Sequence, residues 1–281
     1  MQSYTPLTGV SCPLETHRCI YLDGLTDTVS IDLAFTNARK LFGMFGFDVV
    51  KILIGHTSKS EPKTYSLKKF ISELQVGAFD QFKSAQFYPN KRSSIDESWR
   101  PDIYFSVTNQ YRVNSIFFSF HSNNHSDGDA QILEVLRELS DYCAGYIFDF
   151  PNVFSPLAYY SGIVVDPSDR RVGRIADRES LRIENWRRNT ELGFVRTGER
   201  VYLDPCQGYV RDAYPKIILS KPHCDRRFNG KSILELAHEV CGSTVLTYNG
   251  KVILITDESK VVDLQKLLDK FGMTLSTNYS L

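Results

Sequence analysis

The 281-residue sequence lacks the short motifs that identify most nucleotide-binding proteins and hydrolases. It has no GxGxxG, no GxxxxGK followed by Ser or Thr, and no GxSxG, so neither a phosphate-binding loop nor a nucleophile elbow is indicated. The stretch ELAHEVCG (235–242) is not a zinc-protease helix, because HExxH would need a second histidine where Gly242 stands. No catalytic residue and no cofactor is therefore predicted.

Neither sign of charge is in excess, since Lys+Arg and Asp+Glu both number 33. A general nucleic-acid-binding protein usually carries a basic surplus, so nucleic acid is not an expected partner. No stretch approaches the ~18 apolar residues of a membrane helix, and no membrane span is expected. The N-terminal MQSYTPLTGV has no basic segment followed by an apolar run, so no signal peptide is expected.

Cysteines are few and scattered, and no two of them form a CxxC pair. The six are Cys12, Cys19, Cys143, Cys206, Cys224 and Cys241. Together with the missing signal peptide, this pattern favours a cytoplasmic protein with reduced thiols.

The N-terminal part contains an alternation of strand and helix patterns. Strands are predicted at 17–23, 48–56, 102–121 (two strands around a turn) and 144–150, and helices at 31–45, 66–74 and 129–143. Ser30 is placed to cap the first helix, and Gly46 follows its last turn. The order approximates βαββαβ with a large insertion.

The C-terminal part gives a clearer βαββαβ order, which is the ferredoxin-like pattern. It has a strand at 216–220, a helix at 231–240, a hairpin, a helix at 258–272 and a last strand in TLSTNYS. Asn249-Gly250 joins the hairpin strands and favours a type I′ turn, because both positions tolerate a positive φ.

Between these parts the composition changes, since residues 170–200 hold nine arginines and five acidic residues. We place a domain boundary near the start of this stretch. The prediction is an N-terminal α+β domain over 1–165 and a C-terminal α+β domain over 166–281 with a charged helical lead-in. The fold class is thus α+β, with two α/β sandwich-like halves.

One cluster of metal-binding residue types is HSNNHSDGD at 121–129. Asp127 and Asp129 precede a predicted helix, where carboxylates accept backbone N–H groups and face the positive end of the helix dipole. The Asn-, Ser- and Gly-rich composition is typical of a turn. We expect a strand-to-helix loop rather than a metal site, and His121 and His125 stay unassigned.

A structural zinc site is a second metal hypothesis. His238 and Cys241 share a helix face, and with Cys206 and Cys224, or with His223, they would supply four ligands. The spacings match no paired zinc knuckle, and free cysteine is commonly a small core residue. Cys224 beside His223 also lacks any local signature of a cysteine nucleophile. No metal site is predicted.

Two stretches favour a protein-binding surface. The run 146–162 is rich in Tyr and Phe, and the arginine-rich stretch carries a tryptophan among its charges. The predicted partner-contacting residues are Tyr159, Tyr160, Trp186, Arg187 and Arg188. For the arginine-rich stretch the alternative is a solvated helix with i,i+4 ion pairs such as Glu184–Arg188.

Two passages resemble, in layout, the tail halves of some bacterial immunity proteins. They are LSDYCAGYIFDFPNVFSPLAYYSGI (139–163) and VRDAYPKIILSKPHCDRRFNGKSILELA (210–237), the latter followed by the hairpin. Those families neutralise cognate toxins of contact-dependent or type VI interbacterial competition. The resemblance implies a non-enzymatic protein that binds one toxin domain and covers its active site, and it transfers no functional residue.

Two other classes of function stay open. One is an enzyme whose site forms between the two halves, including a metal-dependent enzyme that uses His121, His125, His238 or Cys241. The other is a structural or regulatory subunit of a larger bacterial assembly. A stoichiometric metal would favour the first class, and a large multi-protein complex would favour the second.

Overall fold

The centre of the molecule is an antiparallel sheet of ten strands. A computed structural model describes residues 3–4, 12–13, 16–56, 61–79, 81–89, 101–110, 113–121, 128–151, 155–160, 181–196 and 199–277. The strands are β1 (Ser3–Tyr4), β2 (Cys12–Pro13), β3 (Thr16–Leu25), β4 (Lys51–His56), β5 (Lys63–Ser66), β6 (Phe82–Tyr88), β7 (Ile103–Gln110), β8 (Val113–His121), β9 (Tyr142–Pro151), β10 (Phe194–Arg196), β11 (Glu199–Val201), β12 (Lys216–Leu219), β13 (Arg227–Phe228), β14 (Lys231–Ser232), β15 (Thr244–Tyr248) and β16 (Lys251–Ile255).

The order of strands in the large sheet is β15-β16-β12-β9-β3-β8-β7-β6-β4-β5. The remaining strands form three short pairs, β1 with β2, β10 with β11, and β13 with β14. The two middle strands, β9 and β3, pair along nearly their whole length, from Thr16–Pro151 to Leu25–Tyr142. The sheet therefore has two edges, β15 at one end and β5 at the other.

Helices cover both faces of this sheet. They are α1 (Ile31–Met44), α2 (Leu67–Gln75), α3 (Asp129–Arg137), α4 (Pro156–Tyr160), α5 (Lys221–Asp225), α6 (Ile233–Cys241) and α7 (Val261–Lys270). Residues 181–187 are also helical and continue into a π-helical turn, Arg188–Leu192. Single 3-10 turns are formed by Pro205–Gln207 and Glu258–Lys260.

Because side chains alternate along a strand, β3 contributes to a core on each face. Ile20 and Leu22 belong to the first core, which α1, α2 and α3 close, while Cys19 and Tyr21 belong to the second, which α6 and α7 close. The first core is aliphatic and phenylalanine-rich. The second is rich in tyrosine and contains buried polar groups, so the two faces differ chemically.

Short sequence motifs explain where one helix begins and where one hairpin turns. Ser30 caps α1 as predicted, because its side chain accepts a hydrogen bond from the Leu33 N–H. The predicted type I′ hairpin is also confirmed, since Asn249 and Gly250 have φ values of 48° and 74° between β15 and β16.

The predicted α+β class is confirmed, and the large sheet spans the predicted boundary between residues 165 and 166. The junction is the antiparallel pair β9–β12, in which Tyr146 lies opposite Ile217. The boundary itself stays a prediction. The two sandwich-like halves share this sheet rather than each forming its own.

The ferredoxin-like order of the C-terminal half needs one correction. Strands β12, β15 and β16 take the predicted places, but β9 lies beside β12 where the strand in TLSTNYS was expected. Thr274 forms an isolated bridge with Val210 instead, and residues 278–281 lie outside the described part. A ten-residue apolar strand from the N-terminal half offers β12 more buried pairing than this short polar segment does.

The expectation that the thiols are reduced is wrong for one pair, because Cys143 and Cys206 form a disulfide. The bond joins β9 to the Pro205–Gln207 turn, so it also crosses the predicted boundary. Cys19, Cys224 and Cys241 are free. Within the described residues, no helix is long and apolar enough to cross a membrane.

Candidate protein-binding surface

The edge strand β15 exposes apolar side chains on both faces of the sheet. Val245 and Leu246 are 43% and 55% exposed, and they point to opposite faces because they are consecutive in a strand. Among the strands that the structure describes, β15 pairs with β16 alone, and Leu246 lies opposite Ile253. One side of its backbone therefore presents N–H and C=O groups that another strand can pair with.

This edge lacks the features that usually prevent association between strands. The sequence of β15 is TVLTY, with no charged residue and no proline, and its pairing with β16 runs without a bulge. The opposite edge differs, because β5 carries Lys63, whose ammonium lies 5.1 Å from the Tyr65 ring centroid. The two edges of the same sheet are thus not equivalent, and β15 is the one with exposed apolar side chains and no charge.

The hairpin that carries β15 is fixed to the body of the protein at its turn. Tyr248 donates its hydroxyl to a Glu134 carboxylate oxygen on α3, and the Asn249 side-chain amide donates to the same oxygen at 3.0 Å. These hydrogen bonds hold the pKa of Glu134 below its ordinary value, because they stabilise the ionised carboxylate. The turn of the hairpin is therefore tied to α3.

The structure places Tyr159 and Tyr160 inside the protein. The Tyr160 hydroxyl is 2.8 Å from the Thr108 hydroxyl and 3.0 Å from that of Ser115, and its ring stacks on Phe117 with centroids 4.6 Å apart. Tyr159 shares a hydrogen bond of 2.9 Å with the Tyr214 hydroxyl. The expectation of an exposed aromatic surface here is corrected: these rings complete the second core.

Trp186 is buried as well, and it covers a buried arginine that the sequence did not single out. The guanidinium carbon of Arg211 lies 4.2 Å from the Trp186 ring centroid, 4.9 Å from that of Tyr21 and 5.1 Å from that of Tyr159. An Arg211 Nη2 also donates to the Tyr159 carbonyl at 2.9 Å. Trp186 therefore stabilises an internal cation instead of an external partner.

Arg187 is exposed and Arg188 is half-buried, so these two predicted contact residues lie at the surface. Arg188 pairs with Glu184 at 3.8 Å across one helical turn, which confirms the i,i+4 pair predicted for this stretch. Their contact with a partner stays a prediction.

Asp129 does not cap α3 as expected. The N-cap is Gly128, and the Asp129 carboxylate instead accepts hydrogen bonds from Arg18 at 3.1 and 3.2 Å and from Lys216 at 2.7 Å. Burial alone would raise the pKa of Asp129, but these cations lower it overall. The carboxylate ties α3 to β3 and β12. Asp127 and His125 lie outside the described residues.

The four-ligand zinc hypothesis loses one ligand, because the sulfur of Cys206 is bonded to Cys143. The buried His223 uses its ring nitrogens for the Ser220 hydroxyl and the Tyr209 carbonyl, each at 3.1 Å. Across the described residues, no group of three His, Cys, Asp or Glu side chains is placed to hold a metal ion.

Comparisons with known proteins identify no family for this chain. No protein-family model matches it, and no curated protein matches its sequence. Among solved structures, it is similar to a T6SS protein of Pseudomonas aeruginosa, with a TM-score of 0.48 and 8% sequence identity. The match covers 93% of this chain and 73% of that one. At this level the likeness says nothing about partners or activity.

Proposed function

We propose that this protein is a non-enzymatic protein-binding module, an immunity protein that neutralises a cognate bacterial toxin by covering the toxin's active site. The observation that carries the proposal is the exposed, uncharged and apolar edge strand β15. An uncovered edge of this kind allows unspecific association between sheets. A partner protein that binds β15 and covers this edge explains best why the strand carries no charge or proline.

The binding mode follows from the chemistry of an unpaired edge. An extended segment of the toxin adds a strand beside β15 and forms main-chain hydrogen bonds with it. Val245 and Leu246 then contact the segment from the two faces of the sheet and select apolar side chains in it. Since Glu134 holds the hairpin turn in place, little ordering is needed on binding, which favours affinity.

Co-expression with the toxin encoded beside this protein tests the proposal. The chain should restore growth of cells that make the toxin, and the two proteins should co-purify. Leu246→Lys places a charge in the centre of the contact and should weaken binding by about 30-fold or more, the effect of losing ~2 kcal/mol at a binding hot spot.

Val76→Lys is the matched control, because Val76 is 77% exposed but lies at the end of α2, away from β15 in the sheet order. It should leave rescue and co-purification intact. The proposal fails if the unsubstituted chain neither rescues growth nor co-purifies with the toxin. Equal rescue by Leu246→Lys would remove β15 from the interface.

A further inference from the structure

The disulfide Cys143–Cys206 occupies a space that a third residue leaves open. Gly24 lies beside Cys143 where β3 pairs with β9. A Cβ atom placed on Gly24 would be 2.9 Å from the Sγ of Cys206 and 3.0 Å from the Cβ of Cys143. Atoms in favourable contact are about 3.5–4.0 Å apart, so a residue larger than glycine would displace the bond. Three distant positions of the sequence are thus matched to one another, as expected of a permanent part of the fold.

Both ends of the disulfide are fixed within the fold. Cys143 lies in β9, which pairs with β3 on one side and with β12 on the other. Cys206 lies in the Pro205–Gln207 turn, and its N–H donates to the Asp204 carboxylate at 2.7 Å. The two cysteines are 63 positions apart, whereas disulfide oxidoreductases use the closely spaced Cys-X-X-Cys motif. These are the features of a structural disulfide and not of a catalytic one.

The free thiols of the described residues are protected from oxidation. Cys19 and Cys241 are 0% and 6% exposed, and Cys224 is half-buried. Burial raises the pKa of all three thiols, which suppresses the reactive thiolate. Among the cysteines whose side chains the structure describes, only Cys206 is exposed, and its sulfur is already bonded. This part of the chain therefore offers an oxidising environment no exposed thiol to modify or cross-link.

Structural disulfides persist in oxidising compartments, whereas glutathione and thioredoxin keep the thiols of cytoplasmic proteins reduced. We propose, from the Cys143–Cys206 disulfide and its fit against Gly24, that this protein works in an oxidising compartment outside the cytoplasm and that its toxin acts there. The statement about the toxin rests on the proposed function, and the statement about the compartment does not. The expected localisation in the cytoplasm is thereby replaced.

Formation of the bond is an exchange between two pairs of sulfur atoms. The thiols of Cys143 and Cys206 lose two electrons and two protons in total as the S–S bond forms. An oxidoreductase that carries a disulfide accepts both, and its own S–S bond is broken to give two thiols. A chain kept in the cytoplasm lacks this cross-link, so the complete fold is reached only after export.

Trapping of thiols in the cells that produce the full chain naturally tests the compartment. The cells are quenched with acid, and free thiols are then alkylated under denaturing conditions. Mass spectrometry should find Cys143 and Cys206 unmodified until a reductant is added. Cys224 should be alkylated in the same molecules and is the internal control, because its thiol is free. Alkylation of Cys143 and Cys206 to the same extent as Cys224 would overturn the proposal.

Directing the toxin encoded beside this protein to one compartment at a time tests where the two proteins meet. The toxin should stop growth when a cleavable export signal precedes it, and the chain should restore growth only when it is exported too. A toxin that kills from the cytoplasm, and is neutralised there by a chain without an export signal, would refute the inferred compartment while the proposed function stands. An exported chain that contains the disulfide but neither rescues growth nor co-purifies with the toxin would refute the proposed function alone.

Discussion

Asp23 is a buried carboxylate on β3 that interacts electrostatically with the guanidinium of Arg211. Burial raises its pKa to about 6, against the opposing effects of the Arg211 cation and of the Gly24 N–H that donates to it. The folded state therefore holds this proton more tightly than the unfolded state. The contribution of Asp23 to stability is greatest below pH 4 and decreases as the pH rises through 6.

Asp23→Asn should remove this dependence, because the amide stays neutral at every pH. The difference in unfolding free energy between variant and parent should shift in favour of the variant between about pH 4 and pH 6, and then level off. Urea unfolding at several pH values measures it. The exposed Asp48→Asn is the control, and a difference that does not change with pH would contradict the assignment.

At the scale of single residues, the sequence predicts best those interactions that are local. Ser30 and the Glu184–Arg188 pair were predicted, because a cap and an i,i+4 pair depend only on helical spacing. Arg211 is not predicted, since its environment comes from strands and helices distant in the chain. Trp186 is predicted to contact a partner but is buried, and its surroundings depend in the same way on distant parts of the chain.

Among the elements, α6 has the most complete set of end signals. The Ser232 side chain accepts from the Glu235 N–H, and the Glu235 carboxylate accepts from the Ser232 N–H, which is a capping box; Gly242 ends the helix with φ of 65°. Ser232→Ala should destabilise the protein by about 1 kcal/mol. Thermal or urea unfolding checks this value, and an unchanged stability would show that α6 is fixed by packing alone.

The sequence pattern predicts the strand β15 but not its place in the sheet. Its length and its hairpin partner follow from Asn249-Gly250 and from the apolar residues on either side. Its position at the edge does not, because neighbours in a sheet are chosen by long-range pairing. The exposed apolar edge therefore cannot be located without the strand order, and the aromatic residues Tyr159 and Tyr160 are internal.

For the whole molecule, the Cys143–Cys206 disulfide joins two residues that are 63 positions apart in the chain. A cross-link of this span is expected to stabilise the folded state by about 4 kcal/mol through the entropy of the unfolded chain. A Cys143→Ala, Cys206→Ala double variant should lose stability of this order, and a reducing agent should destabilise the parent but not the variant.

Cys224→Ala is the control for the double variant, because Cys224 is a free, half-buried thiol. It should keep the sensitivity to reducing agent. If the parent melts at the same temperature with and without reductant, the disulfide does not contribute to stability.

The fold class could be predicted because each half has a readable alternation of strands and helices. The single large sheet could not, because the pair β9–β12 joins residues on both sides of a compositional change that resembles a linker. A shift to arginine-rich sequence is typical of a solvated surface, but here Trp186 is buried, and the shift does not show whether the strands on either side pair with each other.

The position of β9 in the middle of the sheet has a consequence for synthesis. As the chain emerges from the ribosome, β9 can pair with β3 at once, but its other side stays open until Lys216–Leu219 has been made. Throughout that interval the nascent protein carries a long apolar edge that other chains can join. Its yield in cells should therefore depend on chaperones that bind nascent chains, more than its final stability would suggest.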